Sequence, residues 1–125
     1  ELIKQPGVEW CNRVNQDELA KQFSHSSIWL YPPHQFRETC CITALEAQAS
    51  GVLCFYRPNG ALGETVGDRG IVIPMDSKPD DIIQLLSSVL TNTELCATLR
   101  EEGKNWAMQQ TWQHRASRLL EVFNE

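Results

Sequence analysis

A chain of 125 residues suffices for one hydrophobic core but not for two complete nucleotide-binding halves, so a single domain over residues 1–125 is expected. Its formal charge of -5, with no basic run, argues against a nucleic-acid partner, because such proteins neutralise phosphates with clustered Lys and Arg. An anionic ligand therefore has to be held locally. No stretch approaches the roughly 18 apolar residues of a membrane span, and no signal peptide is recognisable. The five cysteines are odd in number and lack a Cys-x-x-Cys pair, which fits reduced thiols in a cytoplasmic protein, or one peripheral at the inner face of the membrane. The opening Glu1-Leu2-Ile3-Lys4, without Met, reads as a piece excised from something longer.

In chain order, Val8 to Cys11 reads as a short strand. Asn15-Gln16-Asp17-Glu18 opens a helix with an N-cap and a Glu three positions on, and Leu19, Ala20 and Phe23 form its buried stripe. Ile28-Trp29-Leu30-Tyr31 is a continuous apolar run halted by Pro32-Pro33, as expected of a parallel strand covered on both faces. Arg37 to Gly51 follows, with a helix over its second half that Gly51 stops. Val52 to Tyr56 is the next buried strand, Gly60 to Val66 a tight loop and short helix, and Ile71 to Pro74 the last strand.

From Pro79 onward the pattern is helical. Ile82, Ile83, Leu86, Val89 and Leu90 stripe one helix, and Leu95, Leu99 and Trp106 the next. A last helix begins at Thr111-Trp112, with Ala116, Leu119, Leu120 and Phe123 as its apolar face. The alternation predicts an open, mostly parallel α/β sheet with flanking helices, whose ligands bind outside the carboxyl ends of the strands.

The chemistry concentrates in Arg37 to Gly51. Glu38 and Glu46 bracket seven residues, one before the helix and one within it. The unpaired N–H groups near Cys41, Ile42 and Thr43 point between them and suit an anion. Acceptors for hydroxyls thus flank a phosphate cradle. Vicinal Cys40-Cys41 has no His or further Cys at ligand spacing, so no metal site is expected and a packing role is preferred.

These residues resemble the C-terminal half of a GT-B-fold glycosyltransferase of the family called group 1, or GT4. Glu38 and Glu46 reproduce its Glu-x7-Glu motif, and Leu45-Glu46-Ala47-Gln48-Ala49-Ser50-Gly51 resembles its Leu-Glu-Ala-Met-Ala-x-Gly. Gly60-Ala61-Leu62-Gly63-Glu64 is similar to its Gly-Gly-x-x-Glu loop, Gly70 to Pro74 with Asp76 to its last strand, and Thr111-Trp112 to the Phe-Ser-Trp that opens its final helix. Nearly the whole chain is covered.

The resemblance implies a Rossmann-like sheet, the GT-B C-terminal lobe lacking its first βαβ portion and ending in a helical region. It implies the donor-binding part of a retaining glycosyltransferase. Glu38 would be the catalytic residue on hydroxyls of the donor sugar, and Glu46 would hold the ribose. The amides of Cys41, Ile42 and Thr43, helped by Gly60 and Ala61, would meet the diphosphate of a UDP- or GDP-sugar, with no metal or other cofactor needed. His34 and Arg37 are further candidate contacts.

Two departures stand out, Cys40-Cys41 where Phe-Gly is common and Pro33-His34 where Pro-Ser is frequent. The family's first two strands and its Arg/Lys-bearing phosphate loop are absent. With a family strand order of 3-2-1-4-5-6, the Val8 strand is expected to pair with the open edge of the Ile28 strand, or the fragment to associate with another chain. The acceptor lobe lies outside the chain, so the fragment alone is expected to be inactive.

Duller readings compete. Glu46 can be a solvated helix acid and Glu38 a charge near a helix N-terminus. Arg37 and Arg57 can be surface arginines, and Trp10, Trp29, Trp106 and Trp112 packing residues. A two-carboxylate glycosidase is disfavoured because nothing apolar surrounds either Glu in the sequence to keep it protonated. The rival from another class is a non-catalytic, phosphate- or nucleotide-binding regulatory domain of a larger protein.

Overall fold

The computed structural model describes residues 2–33 and 35–124. His34, one of the candidate contacts, lies outside the described residues.

The apolar runs form a parallel sheet of three strands among these residues, β1 (Ile28–Tyr31), β2 (Leu53–Tyr56) and β3 (Ile71–Val72), in the order β1-β2-β3. Ile28 lies opposite Leu53 and Tyr31 opposite Tyr56, while Phe55 and Tyr56 face Ile71 and Val72. The Ile73 N–H donates to the Tyr56 carbonyl at 2.7 Å and carries the ladder one step past β3. As the middle strand, β2 is buried throughout, and its alternating side chains serve two cores.

On one face Cys54 and Tyr56 pack with Phe23 of α1 (Gln16–His25), Ala44 and Ala47 of α2 (Ile42–Ala49), Leu62 of α3 (Leu62–Thr65) and Val66. On the other face Leu53, Phe55 and Ile73 meet Cys96 and Leu99 of α5 (Thr93–Ala107), backed by Ile82, Leu86 and Val89 of α4 (Pro79–Leu90). The result is a Rossmann-like α/β sheet with helices on both sides, as the alternation of elements predicts. No single helix among the described residues is long and apolar enough to cross a membrane.

Local signals set most boundaries. Asn15 caps α1 by accepting from the Glu18 N–H at 2.9 Å, and Asn92 caps α5 through the Leu95 N–H at 3.0 Å. Gly51, in the left-handed region at φ 74°, ends α2, with Gly51 and Val52 N–H groups donating to the Gln48 and Ala47 carbonyls. This paired arrangement is what a glycine just past a helix end makes possible.

Several expectations need correcting. β1 is not covered on both faces, since Leu30 stands exposed, and Ala20 of the expected α1 stripe is exposed as well. Val8 to Cys11 forms no strand: the segment is exposed and makes no ladder with β1. A strand requires a partner for its backbone groups, and a turn at Gln5 to Val8 with the left-handed Gly7 and Asn12 leads this segment off the sheet. Trp10 and Trp112 are not packing residues, being 65% and 83% exposed. Trp112 opens α6 (Trp112–Phe123), which buries none of its residues despite a clear apolar face; Leu119, Leu120 and Phe123 all stand exposed. Arg57 is not a surface arginine, because its side chain lies folded under the loops at the carboxyl end of β2.

Candidate functional site

The site grows from the two loops that leave the carboxyl ends of β1 and β2. The first runs extended through Phe36, Glu38 and Cys40, and the second grips it at each alternate carbonyl. Asn59 Nδ2 donates to Phe36 O at 3.0 Å, the Ala61 N–H to Glu38 O at 2.8 Å, and Thr65 Oγ1 to Cys40 O at 2.9 Å. Gly60 forms an isolated parallel bridge with Glu38. Its role is to let the two backbones touch: φ is +67°, and a Cβ there would fall on Glu38's carbonyl oxygen. The Ala61 amide is thereby spent on Glu38, and the Gly60-Ala61 loop acts as the brace of the acid.

The Glu38 carboxylate is aimed by Tyr31, whose hydroxyl donates to Oε1 at 2.5 Å. Tyr31 ends β1 and stacks obliquely on Trp29, with ring centroids 5.0 Å apart. The hydrogen bond to Glu38, aided by desolvation and the carboxylate's charge, pushes the Tyr31 hydroxyl up to about 12. A raised value means that the fold favours the protonated phenol. That contribution to stability is whole below the ordinary value of 10.0 and is lost as the pH rises through 12. Glu38→Ala is expected to return Tyr31 toward 10 and to leave Tyr56, raised chiefly by burial, where it is. Tyrosinate absorbance resolves this in a chain with two tyrosines; a Tyr31 titration unmoved by the substitution would refute the assignment.

Between the acids lies the start of α2. Its N-cap, Cys41, is left-handed at φ 51° and offers no side-chain acceptor, unlike Asn15, Asn92 or Thr111 at their helices. The Ile42 and Thr43 N–H groups find no acceptor among the described residues. A positive φ suits Gly better than Cys, which accounts for the Gly of the resembling motif. The Cys41 side chain packs against the α2-face core, and burial raises its thiol, so it is poorly disposed to act as a thiolate. All five cysteines are unpaired.

The two carboxylates line adjoining cavities. One, of roughly 420 Å³, is walled by Trp29, Tyr31, Glu38 and the stretch Thr39 to Thr43. The other, of roughly 630 Å³, takes in Glu46, Leu45, Trp112 and Arg115. Cys40 and Ile42 line both, so the open helix start is the partition between them. Of the sequence candidates, Glu38, Glu46, Cys41, Ile42 and Thr43 come together here. Arg37 is exposed and lines neither cavity, and Gly60 and Ala61 act from behind Glu38. No group of three or more His, Cys, Asp or Glu among the described residues is placed to hold a metal ion.

Sequence reasoning missed Tyr31 and Arg115. Tyr31 carried one usable signal, its place as the last residue of a strand. Arg115 carried none, since its position beside Glu46's cavity depends on where α6 is laid down, and it is held there by donating to Gln110 Oε1 at 2.8 Å.

Comparison with known proteins supplies the family. The family model described as glycosyl transferases group 1 matches residues 1–106. D-inositol 3-phosphate glycosyltransferase of Jonesia denitrificans is 32% identical over 88 residues, covering 69% of this chain and 20% of that protein. The chain thus spans about a fifth of the length of the curated relative it matches. With the match embracing the sheet, both loops and the start of α2, the chain belongs to the group 1 glycosyltransferase family.

Proposed function

We propose that this chain is the donor-binding part of a retaining glycosyltransferase, taking a nucleotide-diphospho-sugar and delivering its glycosyl group to an acceptor held by a lobe outside the chain. The observation that carries the reading is the uncapped start of α2, with amides at Ile42 and Thr43 that find no acceptor among the described residues and one carboxylate cavity on each side. The diphosphate sits on those amides, where the helix dipole and N–H groups favour negative charge. The sugar enters the Glu38 cavity. Tyr31 occupies a lone pair of Oε1 and so turns the remaining lone pairs of the carboxylate toward sugar hydroxyls. The ribose lies against Glu46, whose two oxygens suit a vicinal diol.

As the glycosidic bond breaks, the leaving nucleoside diphosphate gains charge, and donors already aimed at it stabilise that charge without reorganising. The reaction assigned here draws this stabilisation from the amides and needs no metal or other cofactor. Transfer also requires the acceptor to be held in register, which one lobe cannot do. The isolated chain is therefore expected to bind donor and transfer nothing.

The test is to titrate the chain with UDP, GDP and their sugars while following the Ile42 and Thr43 amides by NMR, and to assay the intact protein for transfer. Saturable shifts at those amides together with turnover support the reading. Binding without turnover in the intact protein would instead mark a regulatory nucleotide-binding domain, and absence of binding in both a lobe that serves assembly only.

A further inference from the structure

At the carboxyl ends of β2 and β3 lies a separate pocket of roughly 490 Å³, lined by Pro32, Arg57, Asp76, Ser77, Lys78 and Pro79 among others, which shares no residue with the cavities of Glu38 and Glu46. Arg57 is only 6% exposed. Its Nη2 donates to Ser77 O at 2.6 Å and its Nη1 to Pro32 O at 3.4 Å, so the guanidinium is held by two carbonyls. Its Nε–H has no partner among the described residues. A guanidinium carries more donors than these two carbonyls use.

The charge is also uncompensated among the described residues. The one ion pair among the described residues joins Lys21 to Glu18, and no carboxylate, Asp76 included, pairs with Arg57. A buried cation without a counterion is costly, and the usual resolutions are an ion partner or replacement by an apolar group. Lys78 adds a second cation on the rim, where the 12-residue α4 begins at Pro79; the first turn of α4 carries Asp80 and Asp81, which offset the positive end of its dipole. The Lys78 N–H itself is taken by Asp81 Oδ2 at 2.8 Å, so the attraction rests on the Arg57 and Lys78 side chains.

We propose that this pocket is a second anion site, in which the phosphate or carboxylate group of a small molecule completes the charge of Arg57, with Lys78 and the start of α4 as its rim. It is independent of the donor reading: either site can be real without the other.

The test is a pair of NMR titrations of the chain at constant ionic strength, one with inorganic phosphate and one with malonate, following the Arg57 side-chain Nε–H and the Ser77 and Lys78 amides. Saturable shifts at all three in either titration are expected, phosphate alone or malonate alone telling which oxyanion the site takes. Arg57→Met is expected to weaken this site at least about tenfold, the loss of a charge-assisted contact, while any response at Ile42 and Thr43 persists. Without anion, Arg57→Met loses the two carbonyl hydrogen bonds together with the unpaired charge, so the shifts at Ser77 and Lys78, and not the melting temperature, read the site. Arg57→Lys, which keeps the charge, is expected to retain weakened shifts and separates loss of charge from loss of the two carbonyl struts. Absence of saturable shifts at Ser77 and Lys78 in the parent, or their persistence in Arg57→Met, would overturn the site and leave Arg57 a structural tie only. Shifts confined to Ile42 and Thr43 would do the same while sparing the donor site.

Discussion

Gly60→Ala is expected to destabilise the domain by about 3 kcal/mol or more, a size reserved for backbone clashes and core defects. Two penalties add. Alanine at φ +67° pays roughly 1 kcal/mol or more for the left-handed region. Its Cβ would also meet the Glu38 carbonyl oxygen and lie 2.8 Å from the Glu38 nitrogen. Both are backbone atoms, and no rotamer change relieves them. The bridge between the loops must open, and with it the 2.8 Å hydrogen bond from the Ala61 N–H to Glu38 O. The Glu38 carboxylate then leaves Tyr31, so the Tyr31 titration should fall together with the urea midpoint. Gly63→Ala is the control. Gly63 lies within α3 and a Cβ there meets nothing within 4 Å, so its effect should stay within about 0.5 kcal/mol or favour the fold. A Gly60→Ala protein as stable as its parent would mean that the two loops are not locked together.

The second large effect separates the two acids. Because Glu46 and Glu38 line different cavities divided by the start of α2, they should be read by different parts of one ligand. Glu46→Ala is expected to weaken binding of a free nucleoside diphosphate by roughly 10- to 100-fold, the range for losing hydrogen bonds to a charged group, about 1.5–3 kcal/mol. Glu38→Ala should leave that same affinity within roughly twofold and erase the extra affinity contributed by the sugar. Calorimetric titration with the diphosphate and with its sugar conjugate, against both variants, measures the four values directly. Equal losses with the free diphosphate in both variants would contradict the division of the site.

Much of this protein is readable along the chain because the relevant forces act between near neighbours. Asn15 three residues ahead of the Glu18 amide, Gly51 at a helix end and apolar runs halted by prolines each place a boundary without reference to distant residues. The Glu-x7-Glu spacing puts one acid before α2 and the other a turn inside it, and that holds for any packing of the helix. Val8 to Cys11 shows the limit of such reading. Its residues are compatible with a strand, but a strand exists only if another strand receives its hydrogen bonds, and none among the described residues does.

The sequence by itself therefore determined the three strands of the sheet, though it offered Val8 to Cys11 as a fourth, the helix that carries Glu46 with Glu38 just ahead of it, and the family. Tertiary structure alone decided that Tyr31 aims Glu38, that the acids face two cavities rather than one, that Trp112 stands in solvent and that Arg57 lies buried without a counterion among the described residues. The physical reason is common to all four. Each depends on contact or exposure that tertiary packing sets: Arg57 meets Ser77 twenty residues on, and Glu38, though only seven residues from Tyr31, is held at it by the grip of Gly60 and Ala61, and such meetings are encoded by no local pattern of residues.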